Sequence, residues 1–147
     1  MPAASETFRV RPMTIDDYPA VYALWVSTPG VGVDETDERD PTARFLERNP
    51  GLSLVAADSD QQIVAAVLCG HDGRRGYLSH LAVDERARGV GLGRRLVAEC
   101  LAALAGQGVG KCNVRIFAEN EAAARFWERM GYARRADLAV WQRTTSS

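Results

Sequence analysis

Three glycines at alternate positions, Gly89, Gly91 and Gly93, punctuate the stretch from Val83 to Leu96, where a short apolar run gives way to a helical pattern. Such a join is suited to anions. The first backbone N–H groups of a helix have no intrahelical partner and the macrodipole is positive there, while glycines let a phosphate reach the backbone without meeting a Cβ. Arg88, Arg94 and Arg95 add positive charge. The chemistry expected is phosphate or pyrophosphate binding by Arg88, Gly89, Val90, Gly91, Leu92, Gly93 and Arg94, set against the plainer reading of a mobile loop ended by a helix. The ligand is not a dinucleotide, because the spacing is not G-x-G-x-x-G and no Rossmann unit opens the chain. Nor is it held by a Walker loop: Gly110-Lys111 approaches one, but position 105 is alanine and position 112 is cysteine.

Groups able to move a proton or attract a substrate are few. His80 lies in an apolar run, and an ordinary imidazole pKa of about 6.5 suits proton acceptance, although a histidine inside a strand is more often structural. His71 falls in a turn and reads as solvated. Asp34, Glu35, Asp37 and Glu38 form an acidic stretch able to attract a cationic amine, or simply a solvated loop. Arg74 and Arg75 could meet a ligand carboxylate, though hairpin tips are commonly polar. Cys69, Cys100 and Cys112 are odd in number, far apart in sequence and set in apolar stretches, so they read as buried free thiols. Neither they nor the two histidines show the short paired spacing of a zinc site, and no metal is expected.

The elements that must position these groups follow from periodicity and turn chemistry. Phe8 to Arg11 alternates as a strand, and Thr14 caps a helix reaching about Ser27, with Asp17 completing a capping box. Pro41 opens a second helix that stops near Asn49-Pro50-Gly51. Residues 52–57 and 63–70 are apolar runs separated by Asp58-Ser59-Asp60-Gln61, a hairpin, and residues 77–83 follow a second polar turn as another strand. Leu92, Leu96, Val97, Leu101 and Leu104 draw one stripe along a helix, and a strand at 113–117 follows. Asn120 caps a helix whose Ala123, Phe126, Trp127 and Met130 share a face and which Gly131 closes. Strands near 132–134 and 138–143 complete the order β-α-α-β-β-β-α-β-α-β-β, an α/β domain with a mixed, mostly antiparallel sheet flanked by helices.

With 147 residues the chain has the size of one domain. Lys and Arg number 18 against 19 Asp and Glu, so no global charge draws it to nucleic acid or an anionic membrane. No apolar run is long enough to span a bilayer and the first residues lack a signal-peptide pattern, so a soluble cytoplasmic protein is expected.

Arg88-x-x-Gly91-x-Gly93, after a strand ending Leu81-Ala82-Val83, resembles the acetyl-CoA signature Q/R-x-x-G-x-G/A of the GNAT acetyltransferases. Phe8 to Arg11 is similar to that family's opening strand, and Asn120-x-x-Ala123-x-x-Phe126-Trp127-x-x-x-Gly131-Tyr132 to its late helix and next strand. Among its members the chain looks closest to small bacterial ones related to the ribosomal-protein alanine N-acetyltransferases. The resemblance implies that the backbone of Leu81, Ala82 and Val83 pairs with the pantetheine arm of acetyl-CoA, that the amides of Arg88 to Arg94 hold its pyrophosphate, and that Asn120 touches the pantetheine. It further implies that the strands carrying Val83 and Asn113 splay apart, with the thioester carbonyl in the notch facing a backbone N–H.

That family commonly lets an amine attack the thioester directly, with no acyl-enzyme. His80 is then the local candidate for the base, with Asp34, Glu35 and Arg74 as candidates around the acceptor. Two departures stand out. Seven residues after Asn120, where the family usually has a tyrosine facing the cofactor sulfur, this chain has Trp127, which cannot give up its proton. Core packing is the plainer role for that indole. Where some protein-acetylating relatives carry a glutamate, Arg115 stands. Tyr132 and Cys112 remain as donors to the thiolate. The expected function is acetyl transfer to a primary amine of a protein N-terminus, a lysine or a small metabolite, with a longer acyl group also open. The alternative is a catalytically weak CoA-binding or regulatory module. The chain is expected to act as a monomer or a homodimer, the latter through the edge ending Val140-Trp141-Gln142-Arg143.

Overall fold

The computed structural model describes residues 7–146. β1 (Arg9–Pro12), α1 (Tyr18–Ser27), α2 (Arg39–Arg48), β2 (Leu54–Ala57), β3 (Ile63–His71), β4 (Gly76–Val83), α3 (Leu92–Gly106), β5 (Cys112–Val114) and α4 (Glu121–Arg129) follow one another along the chain. The sheet runs β1-β2-β3-β4-β5, antiparallel except where β5 joins β4 in parallel. That crossover carries α3, as a parallel connection requires.

Side chains of a strand alternate between faces, and the central strands bury both. Leu54, Ala56, Val67, Cys69 and Leu78 lie beneath Leu92, Leu96, Val97, Cys100 and Leu104 of α3 and Trp127 of α4. Val55, Ala66, Leu68 and Ala82 turn the other way, onto Val21, Leu24 and Trp25 of α1. Continuous apolar runs in β2 and β3 are the sequence consequence of this double burial. All three cysteines are free thiols, Cys69 and Cys100 buried and Cys112 half-buried.

Thr14 and Asp17 cap a short 3-10 turn (Ile15–Asp17) ahead of α1, the Thr14 amide donating to Asp17 Oδ2 at 2.8 Å. The same carboxylate takes Arg11 in a fork, at 2.8 and 2.7 Å, and so ties the entry of α1 to β1. This partner holds Asp17 below the usual carboxylate range.

The expected final pair of strands, 132–134 and 138–143, does not form a ladder; after Gly131 the described chain turns at Arg135–Leu138 and otherwise runs without sheet partners. Strand propensity expresses fit to a neighbouring pleated surface, and β5 offers only three ladder residues as a template. Leu138, Val140 and Trp141 are consequently exposed. The strand expected at 113–117 is likewise shorter, ending at Val114. No helix among the described residues is long and apolar enough to cross a membrane.

Candidate functional site

Between β4 and α3 the chain is pinned at two points, Ala87 and Leu92, each 2% exposed within the core under α3. Asp84 caps a 3-10 turn (Glu85–Ala87) by accepting from the Arg86 amide, and the segment beyond it arches away from the body. Gly89 and Gly91 sit at φ +80° and +81°, where a Cβ would meet no other atom within 4 Å. Backbone conformation alone therefore demands glycine at both. The first helical bond is Arg95 N–H to the Gly91 carbonyl. From Gly89 to Arg94 the amides take no acceptor among the described residues. Gly93 is under no such constraint: a Cβ there would make ordinary van der Waals contact, 3.6 Å from Val83 Cγ2 and 3.7 Å from the Phe126 ring.

The arginines around this arch divide. Arg88 Nε donates to the Val83 carbonyl at 3.0 Å and straps the arch to the strand end. Arg94 is exposed, whereas Arg95 points elsewhere, to Glu99 Oε2 and the Phe8 carbonyl, each at 3.1 Å. Arg95 thus adds no charge to the cradle. The residues present fit a pyrophosphate: free amides, a helix N-terminus, two left-handed glycines and two nearby cations.

The edge of β4 opens beside the arch. β5 pairs only with Gly76, Tyr77 and Leu78, and β4 continues to Val83 with that side uncovered. Against β3, Ala66 faces Ala82 but Leu68 faces Ser79, so two steps on β3 span three on β4. The extra residue makes a bulge at His80 and Leu81, with His80 at φ +53°. A non-glycine residue in this region is uncommon, costs on the order of 1–3 kcal/mol and clusters at functional sites.

At the bulge His80 turns toward the α1–α2 connection. Its Nε2 is 2.8 Å from Asp37 Oδ1, with the carboxylate off the axis of a straight hydrogen bond, and its ring stands edge-on to Trp25 with centroids 4.9 Å apart. Asp37 is 7% exposed. Its Oδ2 accepts from the Asp34 amide at 3.0 Å, and its carbonyl takes the Tyr18 hydroxyl at 2.7 Å and that of Thr42 at 3.4 Å. The acidic stretch is therefore two things at once. Asp34 caps the 3-10 turn (Glu35–Asp37) from solvent, held below the usual carboxylate range by the hydroxyl and amide of Thr36, while Glu35 and Glu38 are exposed. Asp37 alone goes inside. The spacing Asp34-x-x-Asp37 is a capping box, a signal that this segment folds back on itself rather than waving in solvent.

Asn120 caps α4, accepting from the Ala123 amide at 3.0 Å, and its amide nitrogen would lie 2.6 Å from a Cβ on Gly30. The α1–α2 connection thus lies against the head of α4. Arg74 is not brought here. It sits with Arg75, Gly110 and Lys111 around a shallow cavity of about 200 Å³ beyond the opposite end of β4, roughly 23 Å along the strand from Val83 at 3.3 Å per residue. Tyr132 gives its hydroxyl to Cys112 Sγ at 3.2 Å at the closed end of the β4–β5 ladder, so neither group faces the open edge. Trp127 is 7% exposed and stacks edge-on with Phe126 and Tyr132, a core residue. His71, expected to be solvated, is tied down, its Nδ1 accepting from the Gly73 amide at 3.0 Å and its Nε2 lying 2.9 Å from Gln107 Oε1.

Known proteins share this fold. Residues 18–132 match the Acetyltransferase (GNAT) family. An acetyltransferase of Pectobacterium atrosepticum is 31% identical over 117 residues, covering 80% of this chain and 82% of its own. Among solved structures, the NatC complex bound to Gag peptide and CoA superposes with a TM-score of 0.72 at 22% identity, covering 87% of this chain and 86% of that one. The ribosomal-protein-S18-alanine N-acetyltransferase of Escherichia coli gives 0.69 at 21%, covering 84% and 76%.

Proposed function

The chain belongs to the GNAT acetyltransferase family and is an acyl-CoA-dependent N-acetyltransferase, and from that premise we propose that it acts as one domain that transfers an acetyl group to the α-amine of a protein N-terminus. The observation that carries this reading is the adjacency of three features: free amides from Gly89 to Arg94, an uncovered β4 edge from Ser79 to Val83, and His80 at the bulge within that edge.

In this reading the Gly89–Arg94 amides, with Arg88 and Arg94, hold the pyrophosphate, and the backbone of Leu81, Ala82 and Val83 aligns the pantetheine arm, with Asn120 at its end. Acetyl-CoA supplies an activated thioester. His80 accepts the proton that an attacking amine must lose. Asp34 and Glu35, exposed on the same connection as Asp37, attract the amine in its cationic form.

Proton supply favours an α-amine over lysine. With pKa values of about 7.7 and about 10.4, roughly one α-amine in six is neutral at pH 7 but only about one lysine in 2,500. A single histidine suits the first. The peptide in the NatC complex and the alanine in the name of the Escherichia coli enzyme belong to those proteins, and they support the same choice.

The test is release of free CoA thiol from acetyl-CoA with paired peptides, one with a free N-terminus and no lysine, the other N-terminally blocked with one lysine. Faster release with the first is expected. Equal or faster release with the blocked lysine peptide refutes the acceptor, and acetyl-CoA binding without release to any amine refutes the transfer itself.

A further inference from the structure

Resting on the reading of His80 as the base, we propose that Asp37 is its positioning residue, fixing the ring with hydrogen on Nε2 so that Nδ1 is the atom that accepts the proton. Four observations converge. Nε2 is fully buried and 2.8 Å from Asp37 Oδ1. Hydrogen bonds of this kind are often misaligned before substrate binds and tighten afterwards. Nδ1 has no hydrogen bond among the described residues and belongs to a side chain 21% exposed. The ring is wedged edge-on against Trp25, and its backbone is held at φ +53° at the point where β4 leaves β5.

Asp37 is itself held at every polar atom it brings. Oδ2 receives the Asp34 amide, the carbonyl receives Tyr18 and Thr42, and Oδ1 is left for the imidazole. This arrangement makes the isosteric substitution sharply informative. In Asp37→Asn the Asp34 amide still requires an oxygen at the Oδ2 position, so the carboxamide oxygen stays there and its NH2 group faces His80. An NH2 group is a donor only, and Nε2 must then accept, which moves the ring hydrogen to Nδ1 and removes the base. An aspartate that orients a catalytic histidine acts in this way in serine proteases.

Nitrogen–proton correlation of the imidazoles reads the tautomer directly, and the chain has only two histidines to assign. His71 is the internal reference, since its Nδ1 accepts from Gly73 and its hydrogen must lie on Nε2. In the parent, His80 is expected to show the same Nε2–H pattern. In Asp37→Asn it is expected to switch to Nδ1–H, with kcat falling by about 10²-fold or more and KM for acetyl-CoA unchanged. Asp17→Asn removes the carboxylate forked to Arg11 at the entry of α1 without touching Asp37 or its anchors, and is expected to lower stability while leaving tautomer and kcat alone. An Nδ1–H His80 in the parent overturns the proposal, whatever the variants do. So does an Asp37→Asn protein that keeps Nε2–H or the parent's kcat. Should the parent turn over no amine, the transfer reading falls, while the tautomers still decide whether Asp37 sets the ring.

Discussion

Replacing Gly91 with glutamate separates the cost of backbone strain from the loss of an anion site. At φ +81° an L-residue pays about 1–2 kcal/mol and meets no other atom, so the ligand-free protein should fold with a lower melting temperature. Unfolding entropy scales with length, to about 0.31 kcal/mol/K for 147 residues. The strain then corresponds to a fall of about 3–6 °C. For the parent, acetyl-CoA at about a hundred times its dissociation constant adds about 2.7 kcal/mol, a rise of about 9 °C. In Gly91→Glu the new carboxylate stands in the proposed pyrophosphate cradle, and that rise should vanish. Gly73→Glu is the control: the same strain at φ +93°, again with open space around it, but in the β3–β4 turn. It should lose the same few degrees and keep the acetyl-CoA shift. Thermal scans of all three proteins with and without ligand decide the matter. A shift surviving in Gly91→Glu refutes the cradle, and one lost in both variants shows that strain alone weakens binding.

His80→Gln should lower kcat by about 10²–10⁴-fold while the acetyl-CoA melting shift persists, checked by thiol release and thermal scans on the same preparation. Asp17 is held low by its fork to Arg11, so the stability it contributes is complete above its ordinary value of about 3.9 and is lost as the pH falls through its folded value. Asp17→Asn should therefore be less stable than the parent to urea at neutral pH, and the gap should close below about pH 3.9. Trp127→Phe should cost about 1–3 kcal/mol in the same urea assay and retain turnover per folded molecule, since the indole packs against Phe126 and Tyr132 in the core.

What the sequence disclosed is what local backbone physics dictates. Gly89 and Gly91 are legible because each must adopt positive φ, and the helix stripe from Leu92 to Leu104 because burial repeats every turn. His80 could be picked out as a titratable group but not placed. Its left-handed backbone arises from the register of β3 against β4, two steps against three, and no turn residue announces it. Asp37 is indistinguishable in the sequence from its three acidic neighbours, because its burial depends on a partner forty-three positions later in the chain. The last strands failed for the converse reason: Leu138, Val140 and Trp141 have the right composition, but a ladder needs an edge, and β5 stops at Val114.

The missing tyrosine bears less on the chemistry than the histidine does. A thiol pKa of about 8.5 lies about 1.5 units above neutral pH, so a departing thiolate left to water stands only about 2 kcal/mol above its protonated form. That bounds what an acid at position 127 contributes, and burying Trp127 in the core instead stabilises the seat of α4. On the other side of the reaction, an amine that attacks a carbonyl becomes cationic and must shed a proton before the product is stable, and no such bound applies. Of the groups bordering the open β4 edge, the imidazole at the bulge is the one that offers a ring nitrogen able to accept that proton. With His80 as the proposed base, the strain at its backbone and the buried carboxylate set behind it fall where the reaction most depends on the protein.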